Sequence, residues 1–337
     1  MKIYQFESGT GLDALSLVEK PEPQPTYGQV LIKVRATALN YRDLVVAQGG
    51  YGPTVKYPLI PISDGAGEVV AIGEGVTRVK VGDRVAGIFF QKWLDGSLTK
   101  EKLKSGLGGN INGMLAEYVT LHEDGLVILP DHLSYEEGAT LPCAAVTAWH
   151  ALMTQGKITA GERVLLLGTG GVSIFALQFA KVHGAEVIIT SSSDEKLQHA
   201  QELGADVIIN YKTTPEWHKE IYKLTEGNGV DRVIEVGGAG TLAKSMQAVR
   251  VGGTISLIGI LAGAKAEVNP LPVIMKNLNI QGIYVGSRDM FESMNQAISL
   301  HKIKPIIDRV FPFEEAKEAY SYLKSGAHFG KVVIKLE

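Results

Sequence analysis

Arg163-Val164-Leu165-Leu166-Leu167-Gly168-Thr169-Gly170-Gly171-Val172-Ser173 is the stretch that decides the fold. Its first five residues have the length and apolarity of a strand buried on both faces. Ile174, Leu177, Gln178 and Lys181 follow at helical spacing, so a helix begins within the glycine turn. Gly168 permits the sharp turn, and Gly170 lets the backbone approach a pyrophosphate. The helix start at Gly171 and Val172 offers free N–H groups and partial positive charge to that phosphate. Ser173 replaces the third glycine of the fingerprint and is still small enough for close helix–strand packing. The strand–turn–helix context makes this run, Thr169 included, a dinucleotide site.

The rhythm continues outward from it. Apolar strands are expected at 163–167, 186–190, 207–209, 231–236, 254–259 and 280–285, with helices near 171–183, 194–203, 215–225 and 240–250. That alternation specifies an α/β, doubly wound parallel sheet covered on both faces. Residues up to about 125 read instead as short strands (30–36, 65–72, 84–87, 116–121, 126–129) between Gly- and Pro-rich turns, a barrel-like unit. The tail predicts helices near 289–301 and 313–324 and a last strand, Lys331 to Lys335, that rejoins the N-terminal unit. Domain limits are drawn at 1–128 with 268–337 for the β-rich substrate domain, and 129–267 for the nucleotide domain.

The second strand ends at Ser191-Ser192-Ser193, where an NAD-binding chain usually carries an acid for the ribose 2′-hydroxyl. Hydroxyls, with Lys196 nearby and Tyr211 after the third strand, suit a 2′-phosphate and therefore NADP(H). Two features stand beside that reading: Ser192 and Glu195 also fit a capping box, and Asp194 lies close to the tip. By the strand-end rule, Gly237 after the fourth strand, Gly259 and Ile260 after the fifth, and Val285 and Ser287 after the sixth are further cofactor contacts.

A net charge of −3 over 337 residues leaves no electrostatic footprint for nucleic acid, and no basic run suggests a membrane surface. The single cysteine, Cys143, rules out an intramolecular disulfide and fits a reducing compartment. The N-terminus lacks a signal-peptide core, and the apolar run near Ile255–Leu261 is too short to span a bilayer. A cytoplasmic protein acting on a small molecule is expected. A homodimer is expected too, because the strand from Asn279 to Val285 would otherwise leave a sheet edge open.

Several segments carry a resemblance: Ala38-Leu39-Asn40-Tyr41-Arg42-Asp43, Gly65-Ala66-Gly67-Glu68-Val69-Val70, Val81-Gly82-Asp83-Arg84-Val85, Leu141 through Trp149, and Gly330-Lys331-Val332-Val333. With the glycine turn, these resemble the medium-chain dehydrogenase/reductase superfamily over nearly the whole chain. The resemblance implies a Rossmann sheet beside a GroES-like, partly open barrel. Zinc alcohol dehydrogenases of that superfamily place a cysteine near Asn40 and a His-Glu pair where this chain has Ser63-Asp64. Only Cys143 remains, and the region 89–110 has no cysteine for a structural zinc lobe. A catalytic zinc needs three protein ligands, so no metal is expected. Asn40-Tyr41-Arg42-Asp43 and Tyr51 look like the zinc-independent quinone oxidoreductases and enoyl reductases, and Lys196 with Tyr211 resembles the NADPH pattern of the quinone enzymes.

Hydride addition to a double bond conjugated with a carbonyl needs only donors for the developing enolate and a proton. Tyr41 and Tyr51 are candidate donors, with packing as the alternative for each. Asn40 is expected at the nicotinamide or as a turn amide, and Asp64 in a catalytic or supporting role. Arg42 and Asp43 are read as an ion pair fixing a loop, and Cys143 as a small buried residue. Thr147, and Lys331 from the tail, are expected at the cofactor. The leading reading is a zinc-independent, NADPH-dependent reductase of quinones, enones or alkenals. An alcohol or aldehyde dehydrogenase of the zinc-type family and a non-catalytic NADPH-binding protein are the alternatives.

Overall fold

Alternating apolar residues in β3 (Gln29–Leu39) put Val30, Ile32 and Val34 into a core. The computed structural model describes residues 1–9, 11–52 and 55–337. They divide into one unit of Met1–Val146 with Val285–Glu337 and a second of Thr147–Tyr284. The expected limits at 128 and 267 move because the helical segment after Leu129 packs on the first unit and the sixth parallel strand completes the second. No helix among the described residues is long and apolar enough to cross a membrane.

In the first unit, β1 (Lys2–Phe6) and β2 (Leu15–Glu19) form an antiparallel pair that the sequence reading did not foresee. β3 is then joined by β4 (Asp64–Ile72), β5 (Arg84–Gly87), β6 (Tyr118–His122) and β7 (Leu126–Ile128). The segment after β3, read as a loop, is a helix over Tyr41–Ala47. Its start is stabilised by Asp43, whose carboxylate accepts the Asn40 N–H at 2.8 Å. That signal, an Asn followed three residues later by an acid, was present in the sequence.

The second unit follows the expected alternation closely. β8 (Arg163–Leu167), β9 (Glu186–Ser191), β10 (Val207–Asn210), β11 (Val230–Glu235), β12 (Val249–Leu257) and β13 (Asn279–Gly282) are all parallel, in spatial order β10-β9-β8-β11-β12-β13. Helices Gly171–Val182, Asp194–Glu202, Trp217–Leu224, Leu242–Ala248 and the short Leu271–Met275 connect them. The order reverses between β8 and β11, which is where such sheets bind ligands.

The chain then returns to the first unit through the helix Arg288–His301, β14 (Ile307–Pro312), the helix Ala316–Ser325 and β15 (Lys331–Lys335). β14 is the third strand missed from sequence, since its alternation is broken by Asp308 and Arg309. As expected, β15 rejoins the β-rich unit, antiparallel to β3 with Val332 opposite Leu39. β3 thus carries β6 along residues 29–33 and β15 along 36–39, while β4 lines its other edge with Asp64 opposite Ala38.

Close approach of β3 and β4 depends on Gly67, where a Cβ would collide with the Lys33 carbonyl oxygen of the neighbouring backbone. Gly67→Ala is expected to cost about 1–3 kcal/mol, read as a lower urea midpoint at unchanged slope. An unchanged midpoint would mean that the two strands part without cost.

Candidate functional site

The two units each carry a set of polar groups, and each set is built by strand ends. In the second unit the chain leaves β8 through Gly168 with φ +73°, a conformation that side-chain-bearing residues seldom adopt. A Cβ on Gly170 would meet nothing within 4 Å, so the turn faces open space at the start of the helix Gly171–Val182. Ser173, in place of the third glycine, turns back and donates to the Leu167 carbonyl at 2.7 Å. Thr169 is buried, its hydroxyl 3.4 Å from that of Ser191. Val172 lies partly buried in the first helical turn.

At the tip of β9 the cap is one residue later than expected. Ser193, not Ser192, caps the helix Asp194–Glu202, accepting the Lys196 N–H at 3.3 Å, and no Ser192–Glu195 box forms. Ser192 is thereby left partly exposed beside the cap. Asp194 is drawn to the next strand end, where it accepts from Asn210 Nδ2 at 2.6 Å. Tyr211, half-exposed, follows that strand with its N–H on the Ser191 carbonyl.

A residue that sequence reading missed organises the end of β11. Glu235 is fully buried, and its Oε1 accepts from the N–H groups of Gly237 (2.8 Å) and Gly238 (3.0 Å) and from Thr241 Oγ1 (2.6 Å); Oε2 accepts from Ser245. A carboxylate directly before a Val-Gly-Gly turn was the available signal. Gly259 packs against Val236, Ile260 is half-exposed, and Thr147 is buried.

In the first unit, the register brings Asn40, Asp64 and Lys331 together. Lys331 is buried, and its Nζ donates to the Leu39 carbonyl (2.7 Å) and to Asn40 Oδ1 (2.6 Å). Asp64 is fully buried; Oδ1 accepts from Ser63 Oγ at 2.7 Å and Oδ2 from the Cys143 N–H at 3.1 Å. Burial pushes the Asp64 carboxyl up, opposed by Lys331 and by donation from Ser63 and Asn40. Burial, and then the charge of Asp64, drive the Cys143 thiol well above its ordinary range. Lys331, expected at the cofactor, has its Nζ against Asn40.

Beside this cluster, Arg42 Nη1 pairs with Asp43 (3.2 Å) and donates to Leu107 (2.9 Å), as the ion-pair reading expected. Its guanidinium lies 4.5 Å from the centre of the Tyr51 ring and 5.0 Å from that of Phe89. Tyr51 is therefore built into a cation–π stack, whereas Tyr41 is half-exposed at the helix start. Burial pushes Asp43 up to about 6 despite Arg42. Ser287 caps the helix Arg288–His301, its hydroxyl accepting from the Met290 N–H, and Val285 is buried with φ +56°.

A parallel sheet with an unobstructed glycine turn at a helix start, next in the chain to a β unit with a buried polar cluster, is the arrangement of a nicotinamide-dependent oxidoreductase. Residues 26–131 match the alcohol dehydrogenase GroES-like domain, and residues 171–300 the zinc-binding dehydrogenase family. The chain is 46% identical over 335 residues (97% of each chain) to zinc-type alcohol dehydrogenase-like protein C1773.06c of Schizosaccharomyces pombe. It is 31% identical to acryloyl-coenzyme A reductase of Metallosphaera sedula, over 94% of this chain and 95% of the relative. A putative alcohol dehydrogenase from Sinorhizobium meliloti 1021 superposes with TM-score 0.93 at 42% identity, covering 99% of this chain and 98% of that one. The chain belongs to the medium-chain dehydrogenase/reductase superfamily, whose members bind a nicotinamide cofactor.

The nicotinamide group fits: the turn from Gly168 to Val172 has the glycines and the open face that a pyrophosphate needs. Zinc does not. Asp64 already accepts from two neighbours, and Lys331 Nζ stands 2.6 Å from Asn40 Oδ1. Among the described residues no group of three or more His, Cys, Asp or Glu is placed to hold a metal.

Gly170→Ala puts a methyl group into the open face without touching the protein. Dinucleotide affinity is expected to fall at least about tenfold, through loss of phosphate approach, with the melting temperature shifted by no more than about 2 °C. Cofactor fluorescence titration and a thermal melt read the two; equal affinity would remove the turn from the binding site.

Proposed function

We propose that this oxidoreductase reduces carbon–carbon double bonds conjugated to a carbonyl, in quinones, enones or alkenals, using NADPH and no metal. The observation that carries this is the donor set around Asn40, in which an ammonium and hydrogen-bond donors replace metal ligands. Reduced nicotinamide supplies the hydride when bound. The chain's own residues then have to hold the acceptor and stabilise the oxygen that gathers negative charge. The half-exposed Tyr41 hydroxyl is the donor assigned to that oxygen, with Asn40 held beneath it by Lys331. Tyr51 shapes the wall through its stack on Arg42, and Asp64 fixes the start of the segment at Cys143.

The serine tip of β9 supports NADPH. Its nearest acid, Asp194, accepts from Asn210, and Ser192, Lys196 and Tyr211 are the groups assigned to a 2′-phosphate. Thr147, Thr169, Ser191, Ser193, Gly237, Gly259, Ile260, Val285 and Ser287 stay assigned to the cofactor's surroundings. The likeness to an acryloyl-coenzyme A reductase agrees with an activated alkene as substrate. The S. pombe relative's name favours a second reading, an alcohol dehydrogenase. The lone cysteine agrees with a cytoplasmic location.

Oxidation of NADPH followed at 340 nm with a quinone, an enone and an aldehyde, beside zinc analysis of the purified protein, separates these readings. Turnover of the quinone or enone with NADPH preferred over NADH by about tenfold or more, without stoichiometric zinc, is the expected result. Alcohol oxidation with one zinc per chain would replace it.

We also infer a homodimer joined along β13. That strand ends the parallel sheet, and the adjoining Leu271, Ile274 and Met275 are exposed, the last two at 73%. Size-exclusion chromatography should give about twice the 36.2 kDa chain mass, and Ile274→Glu with Met275→Glu should give the monomer. A monomeric wild type at micromolar concentration would end this assignment.

A further inference from the structure

β11 ends on a carboxylate where an apolar residue would have completed a buried strand. Glu235 is closed in by four donors: the N–H groups of Gly237 (2.8 Å) and Gly238 (3.0 Å), the Thr241 hydroxyl (2.6 Å) and the Ser245 hydroxyl. Taking a carboxylate out of water is costly unless such donors meet it. Two of them belong to the turn, and two to the helix Leu242–Ala248 and its N-cap. The side chain therefore sets the path of Val236-Gly237-Gly238 as the chain leaves the sheet.

That turn is in its own right the template for the segment after β12. The Glu235 carbonyl accepts from the Ile258 N–H (2.8 Å), the Val236 carbonyl from Leu261 (3.1 Å) and the Gly237 carbonyl from Ala262 (2.7 Å). In return the Ala239 N–H donates to the Gly263 carbonyl at 2.9 Å. The fit is close: a Cβ on Gly238 would stand 2.8 Å from the Gly263 oxygen, and one on Gly259 2.4 Å from that of Val236. Ile260 and Leu261, at 49% and 54% exposure, are surface that a ligand can reach on this pair of segments. An inaccessible side chain thus shapes an accessible face.

Sheet order says which part of a dinucleotide meets that face. β8 carries the glycine turn, with β9 and β10 to one side of it and β11 and β12 to the other. The phosphates belong at the turn, and the adenosine ribose at the tip of β9. The nicotinamide half then falls across the ends of β11 and β12.

We propose that Glu235 is a positioning residue for the nicotinamide half of the cofactor: by holding the turn after β11 it holds the segment 258–263, without touching the ligand itself. This rests on the second unit as the dinucleotide site, and it is independent of which acceptor is reduced.

The test compares each dinucleotide with its own adenosine half: NADPH with 2′,5′-ADP, and NADH with ADP. In Glu235→Ala the dissociation constant of the dinucleotide that the wild type prefers is expected to rise about ten- to a hundredfold, the span for losing bonds to a charged group. The constant of the matching half should stay within about threefold, since it meets neither segment. Glu235→Gln keeps an acceptor for the two N–H groups and Thr241, and should recover most of the loss. Thr241→Val removes one donor and leaves the carboxylate; it should weaken the dinucleotide alone by about threefold, and it takes the alanine variant's place if that one does not fold. Unchanged dinucleotide affinity, or equal losses in the dinucleotide and its half, overturn the proposal. A wild type that binds neither dinucleotide overturns the reading of the site itself.

A second readout needs no ligand. Amide hydrogen exchange over residues 258–263 should quicken in Glu235→Ala and return towards the wild type in Glu235→Gln, while Glu186–Ser191 of β9 keep their protection. Unmoved exchange at 258–263 overturns the coupling between the two segments.

Discussion

The end of β3 is the constraint on which the first unit's chemistry depends. β4 runs along one edge with Asp64 opposite Ala38, and β15 along the other with Val332 opposite Leu39. Two residues separated by more than 260 positions are thereby set on either side of Asn40. Strand register carries this better than a loop would, since a one-residue slip in β15 would turn Lys331 to the other face of the sheet. Burial does the rest: polar groups this far from water each need fixed partners, and both side chains have them.

The second unit solves a different problem with backbone. Gly168 and Gly170 leave an unobstructed face at a helix start, and Glu235 pins the turn after β11 with four bonds to a single side chain. The two glycines make room, whereas Glu235 removes freedom. Together they give a strand-end surface that is open yet already shaped before any ligand arrives, so little ordering remains for binding to oppose.

Much of this was legible in the chain. Six parallel strands could be found because each is a short apolar run closed by a turn, and the final Lys-Val-Val-Ile-Lys could be assigned to the β unit because the sheet already had its six. The failures share a cause. β14 carries Asp308 and Arg309 where alternation was sought, β1 and β2 are a lone pair outside the main sheet, and the helix after Asn40 is only seven residues long. In the site, Asn40, Asp64 and Lys331 were each marked, yet their meeting was not foreseen. Sequence spacing says nothing about which ends of β3, β4 and β15 share a register. Glu235 went unmarked because a buried acid looks the same in sequence as an exposed one.

The path of the chain also governs when each part can be finished during synthesis. Everything the parallel sheet requires has been made once residue 284 is out, whereas β3 lacks its partner β15 until residues 331–335 have emerged. The half made first is therefore completed last. Until then, the upper edge of β3 stands unpaired, and the amide at its tip waits for its cation.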